Sequence, residues 1–266
     1  MFKNILVPIS SDYFPKMAIR RSRALAEKFK GKVHFLYVVE KKTVEQMERA
    51  GKHVLTPKLI SELEKDIYHT QVRDISKTVL DQTKTLMGPL DNKCNYLVRK
   101  GECSDEIEGY LKENSGSFNH ITCVILEYKK HSNLKYRIFE NCSVPIWLER
   151  GGEIKKVLAA TTSISKNELV PSCAKQIAVS FNAELSLKHF SVQEEDDGKN
   201  EIKLQKDWKG VSHVEKEIVK RAEKYNANLL IIGRTCKACG FFGFGTHFPK
   251  VVIAKKANMS VLIMYS

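Results

Sequence analysis

No run of apolar residues in the 266-residue chain approaches the roughly 18 that a membrane-crossing helix needs. A bilayer span is therefore not expected. The opening "MFKNILVPIS" carries one lysine and a short β-branched run that stops at a proline, so it lacks the apolar length and small-residue cleavage site of a secretory signal. The seven cysteines are an odd number, which argues against a disulfide framework and for a reducing compartment. Cys94, Cys103, Cys123, Cys142 and Cys173 stand singly inside ordinary patterns and read as packing thiols. Together these features place the protein in the cytoplasm.

Catalytic motifs are equally scarce. There is no nucleophile elbow, no histidine with matched carboxylates, and no pair of acids beside the glycine-rich stretch to hold magnesium. An enzyme is not expected. The acidic run "EEDDGKN" from Glu194 lacks the spacing of an EF-hand loop and reads as a solvated turn. The net charge of +13 attracts anions, but it is spread evenly. Up to Arg150 there are 26 basic and 19 acidic residues, and beyond it 18 and 12, giving +7 and +6. No basic block with interleaved aromatics occurs, so a nucleic-acid partner is not expected.

What is present is a globular balance, 42% apolar against 28% charged, and an internal repeat. "NILVPISSDYFPKMAIRRSRALAEKFKGKVHFLYVVE" from Asn4 aligns without gaps on "KVLAATTSISKNELVPSCAKQIAVSFNAELSLKHFSV" from Lys156. Each copy has a β-branched run, a Ser/Thr-rich turn, an amphipathic helix and a second apolar run, which is a βαβ unit. In the first helix Ala18, Ser22, Leu25, Ala26 and Phe29 form the apolar face, with Arg20, Arg21, Arg23, Glu27 and Lys28 outside it. A second correspondence sets Lys100-Gly101 on Lys209-Gly210. A helix follows each pair, capped by Ser104 in the first copy and by a Ser212/Glu215 capping box in the second. Each then feeds a continuous apolar strand, "ITCVIL" or "NLLIIG", and each copy closes on a last strand, "VPIWLE" or "SVLIMYS". The boundary falls near Arg150, giving domains 1–150 and 151–266.

The copies differ in two places. Between the second strand and the Lys-Gly pair the first has about sixty residues and the second fewer than twenty, so the second copy has lost a helix. Between the fourth and last strands only the second copy carries the glycine-rich stretch "IIGRTCKACGFFGFGTHFPKVVIAKK" from Ile231.

"ILVP" before a Ser/Thr/Asp turn, "LYVVE", the "KG" pair, and "LLIIGR" with glycines and "GT" leading into a helix resemble a tandem universal stress protein over the whole chain. The resemblance implies an α/β fold of two doubly wound, open, parallel five-stranded sheets, adenine nucleotide α-hydrolase-like, packed as a pseudo-dimer through the closing strands. It implies a non-enzymatic stress-response role with ATP or AMP bound by some members. Their phosphate loop runs Gly, two residues, Gly, nine residues, Gly, Ser or Thr.

Glycines admit phosphate oxygens close to the backbone, and a following helix start turns free N–H groups and its positive dipole end toward them. In the second copy Gly233 stands at the first glycine and Gly245-Thr246 at the closing pair, one residue short of the family spacing. Cys236 replaces the middle glycine, and Gly243 lies within the rebuilt loop. Arg234 and His247 are candidate phosphate contacts. The adenine-side aspartate is replaced by Ser10 in the first copy, with Asp12 two residues on, and by Thr162 next to Thr161 in the second. Phe190, where the first copy has Val38, stands beside the expected base. The first copy lacks the cradle and reads as a scaffold.

Two alternatives stay open. Cys236 and Cys239 have metal or redox spacing, although zinc needs four ligands and His247 with one further residue, or a second subunit, would have to complete the set. The other is a nucleotide-independent scaffold for an unidentified protein partner, in which the rings of "FFGFG" form a local core or a patch. A homo-oligomer beyond the pseudo-dimer is left open.

Overall fold

The computed structural model describes residues 2–40, 73–116, 120–128, 138, 142–162, 167–190, 207–233 and 257–265. The chain forms two compact units, Met1–Glu127 with Ser132–Cys142, and Tyr128–His131 with Ser143–Ser266.

The first unit runs β1 (Asn4–Ser10), α1 (Lys16–Phe29), β2 (Lys32–Glu40), a helix over 73–87 (α2) that passes into a 3-10 stretch, β3 (Cys94–Gly101), α3 (Cys103–Glu113) and β4 (Cys123–Glu127). Its strands lie in the order β3-β2-β1-β4, all parallel, with Ile5 opposite Val33 on one side and Cys123 on the other. β1 is buried along its whole length and β2 nearly so, as the uninterrupted apolar runs require of strands covered on both faces.

The second unit contains β5 (Ile146–Glu149), β6 (Lys156–Thr162), α4 (Leu169–Phe181), β7 (Glu184–Phe190), α5 (Asp207–Lys224), β8 (Leu229–Gly233) and β9 (Ser260–Met264). The strand order is β5-β9-β8-β6-β7. All pairs are parallel except β5 with β9, where Trp147 faces Leu262. The first copy's closing strand thus pairs with the second copy's closing strand inside the second unit. Trp147 is fully buried there, and its indole N–H donates to Glu149 at 2.8 Å.

Backbone and side-chain hydrogen bonds recur at the positions the sequence repeat makes equivalent. Lys32 N–H donates to Lys3 C=O (2.7 Å) as Glu184 N–H does to Lys155 C=O (2.9 Å). Both first helices end on a left-handed residue, Lys30 and Asn182, each at φ 51°. The next N–H then turns back, Gly31 to Ala26 and Ala183 to Ala178. Thr122 Oγ1 accepts from the amides of Lys3 and Asn4, and Asn228 Oδ1 accepts from those of Lys155 and Lys156.

Several expectations are corrected. Arg21 lies inside the buried face of α1 rather than outside it, and Phe29 is half-buried against the ring of Phe2 at 5.0 Å. α3 begins at Cys103 after Glu102, so Ser104 sits in its first turn and does not cap it; Asp105 and Glu106 do occupy that turn. α5 begins at Asp207 and runs through Lys209-Gly210, so the second Lys-Gly pair is helical and the helix does not start at a Ser212 box. One glycine costs only about 1 kcal/mol in a helix, less than an 18-residue amphipathic element gains by packing. The third strand that five per sheet requires of the second copy falls on residues 191–206, which lie outside the described residues.

Candidate functional site

Doubly wound sheets bind ligands outside the carboxyl ends of their parallel strands, where the chain order reverses. In the second unit that point lies at β6, which has β7 on one side and β8 on the other. The register brings four of the expected residues to this end. Thr161 and Thr162 close β6, Phe190 closes β7 opposite Thr162, and Gly233 closes β8 one step past the Ala160–Ile232 pair. Thr161 and Phe190 are half-buried. The Thr161 hydroxyl lies 3.1 Å from Nδ1 of the exposed His189, a neighbour that the sequence reading did not single out. Arg234, Cys236, Cys239, Gly243, Gly245, Thr246 and His247 lie outside the described residues.

The first unit has the same mouth between β1 and β4, and it is built differently. Ser10 ends β1 with only 8% of its surface exposed, and Glu127 ends β4. The Glu127 side chain turns onto the start of α1. Its Oε2 accepts from the amides of Met17 (2.7 Å) and Ala18 (3.2 Å), and its Oε1 accepts from the Tyr13 hydroxyl. Burial first, then the hydrogen bond and charge of Glu127, push the Tyr13 hydroxyl well above its ordinary ionisation range. A phenol donor and two helix-start amides thus converge on one carboxylate, as such amides do on an anion.

The corresponding amides of the second unit are satisfied from within their own chain segment. Leu169 N–H donates to Asn167 Oδ1 (3.0 Å) and Val170 N–H to Asn167 C=O (3.1 Å). Nothing reaches them from β8, because the residue in the place of Glu127 is Gly233. Asn167 is 4% exposed, and its buried Nδ2 has no hydrogen-bond partner.

The described cysteines, Cys94, Cys103, Cys123, Cys142 and Cys173, form no disulfide and are half-buried or buried. Burial pushes the Cys94 thiol up to about 11 and those of Cys103 and Cys173 up to about 12, away from thiolate chemistry. No cluster of three or more potential metal ligands occurs among the described residues. None of the described helices is long and apolar enough to cross a membrane.

No protein-family model and no curated protein sequence matches the chain. Solved structures do. A universal stress protein from Archaeoglobus fulgidus superimposes with a TM-score of 0.62 at 13% identity, over 98% of this chain and 96% of that one. The fold is that of the universal stress proteins. A protein from Pseudomonas aeruginosa provisionally classed with them gives a TM-score of 0.58 at 13% identity, over 99% and 93% of the two chains. A functionally unknown protein from the same species gives 0.55 at 13% identity, over 99% and 92%. Each match runs over both compact units.

Proposed function

We propose that the chain is a tandem of two universal stress protein domains, 1–150 and 151–266, and that the second binds an adenine nucleotide, ATP or AMP, without turning it over. The observation that carries this reading is the convergence of Thr161, Thr162, Phe190 and the side-chain-free Gly233 on the strand ends at the reversal point of the second unit. On this reading Thr161, Thr162 and Phe190 lie near the base, and Gly233 opens the stretch whose Arg234, Gly245, Thr246 and His247 suit phosphate by residue type. The recurring backbone hydrogen bonds support the tandem, in which each copy supplies one closing strand to the β5–β9 pair. The role that follows is a nucleotide-responsive cytoplasmic interaction protein.

Isothermal titration with ATP and with AMP tests it. The wild-type chain takes up one equivalent, and Gly233→Glu, which places a carboxylate in the mouth, weakens uptake at least tenfold while leaving the circular dichroism spectrum unchanged. No uptake of either nucleotide by the wild type would end the proposal.

A further inference from the structure

The gapless repeat lets the charge of one half be read against the other. Residues 16–32, which hold α1 and the turn into β2, contain seven cations and one acid, a net +6, whereas the equivalent residues 168–184 contain one cation and two acids, a net −1. The same helix and turn therefore fold without that charge. The structure turns most of it to solvent. Lys16, Arg20, Lys28 and Lys30 are exposed along α1 and at its end, as are Lys32 at the start of β2 and Lys3, whose Nζ donates to the Phe29 carbonyl at 3.4 Å. Lys16, Arg20, Arg23 and Glu27 recur at helical spacing, so they form one stripe on a 14-residue helix about 20 Å long. Glu27 is the one acid on it and is already paired with Arg23 at 3.0 Å. Among the described residues no carboxylate pairs with Lys16, Arg20, Lys28, Lys30 or Lys32. We infer that this stripe is a docking surface for the phosphodiester backbone of a nucleic acid, held without regard to base sequence.

The chemistry selects that occupant over an anionic membrane or a second copy of the chain. Cations in a row along a helix are the footprint of a phosphate backbone, and the guanidinium fork of Arg20 suits phosphate oxygens. No large apolar side chain of residues 16–32 is exposed to enter a bilayer. Phe29 packs onto Phe2 at 5.0 Å, so the stripe offers no free ring for base stacking, and contacts to phosphate alone carry no sequence preference. A second copy would have to offer acids, and α3, with four acids and one lysine, has largely used its own. Glu106 and Glu113 face Arg99, and Glu108 pairs with Lys112 at 2.8 Å.

Fluorescence anisotropy of labelled oligo(dT), oligo(U) and a mixed-sequence DNA duplex, with the full chain and rising NaCl, tests this. The α1 variant takes the residues that the second copy carries at the same positions, Lys16→Glu, Arg20→Ser, Lys28→Ser and Lys30→Asn; Asn182 has the same φ of 51° as Lys30. A control, Lys216→Glu, Lys220→Glu and Lys224→Ser, lowers the net charge by the same five units on the exposed face of α5. The wild type should bind all three probes, with log affinity falling against log salt at a slope of roughly −3 on a single strand, the signature of about four phosphates. The α1 variant should lose about tenfold in affinity at low salt and flatten the slope, while the control keeps the wild-type slope. If the fourfold variant does not fold, as judged by circular dichroism, Lys16→Gln with Arg20→Gln replaces it and should flatten the slope by about half. Equal losses in the α1 variant and the control would assign the effect to net charge and overturn the inference, as would no binding by the wild type at about 50 mM salt. Uptake by phosphatidylserine-rich vesicles with none of the oligonucleotides would give the face to a membrane and overturn it too.

Discussion

His34 shows how a single residue ties this fold to pH. It is 1% exposed on β2, with Nδ1 2.7 Å from the Tyr110 hydroxyl and Nε2 without a hydrogen-bond partner. Burial, and then the charge of Lys32, push its ionisation below the ordinary value of 6.5. Above that value the ring is neutral both folded and unfolded, so it makes stability no steeper in pH. As the pH falls below it, the unfolded chain takes up the proton and the folded chain does not, and stability drops until the folded ring also titrates. The urea midpoint of the wild type should therefore fall between pH 7 and pH 5.5 by more than that of His34→Gln; equal slopes would remove His34 from the account. The cysteines give a second prediction of the same scale. Brief alkylation at neutral pH should leave Cys103 and Cys173 unmodified in the native protein and modify both after denaturation, as read by peptide mass mapping.

At the scale of elements, the paired strands show what the sequence made legible. The βαβ units could be read because β-branched runs, an amphipathic stretch and a second apolar run repeat without gaps, and the same hydrogen bonds hold both copies. Thr122 and Asn228 are twin devices of this kind, each accepting from two amides at the entry to a first strand. Thr122→Val and Asn228→Ala should each destabilise the chain by about 1 kcal/mol, the lower end of the penalty for an unmatched backbone donor, because water reaches part of both sites. Denaturant titration checks this, and a neutral change in either would show that its amides are satisfied elsewhere.

Other elements were not legible. Lys209-Gly210 matches a strand-end pair in sequence but is drawn into α5, because periodicity over a long helix outweighs one glycine. Arg21 reads as a solvated charge, yet the packing of α1 encloses it. The repeat sets Glu127 opposite Gly233, but a carboxylate at a strand end does not announce that it folds back onto a helix start more than a hundred residues earlier. Only the topology joins them.

For the molecule as a whole, the proposed reading is a tandem whose two strand-end mouths differ: one has the Glu127 carboxylate on the amides of Met17 and Ala18, the other has Gly233 at that strand end and its helix-start amides on Asn167. On the proposed reading the binding chemistry resides in the second half, where Thr161 and Thr162, Phe190 and Gly233 end neighbouring strands. The net charge of +13 raises the local concentration of anions around both mouths, so uptake at the second should weaken as salt is added. The most direct test is a crystal structure of the wild-type chain grown with ATP. The account predicts nucleotide density at the ends of β6, β7 and β8, with the base beside the Thr162–Phe190 pair, and Glu127 still seated on the amides of Met17 and Ala18. Nucleotide density at the Glu127 mouth, or its absence from the second mouth at saturating ATP, would contradict it.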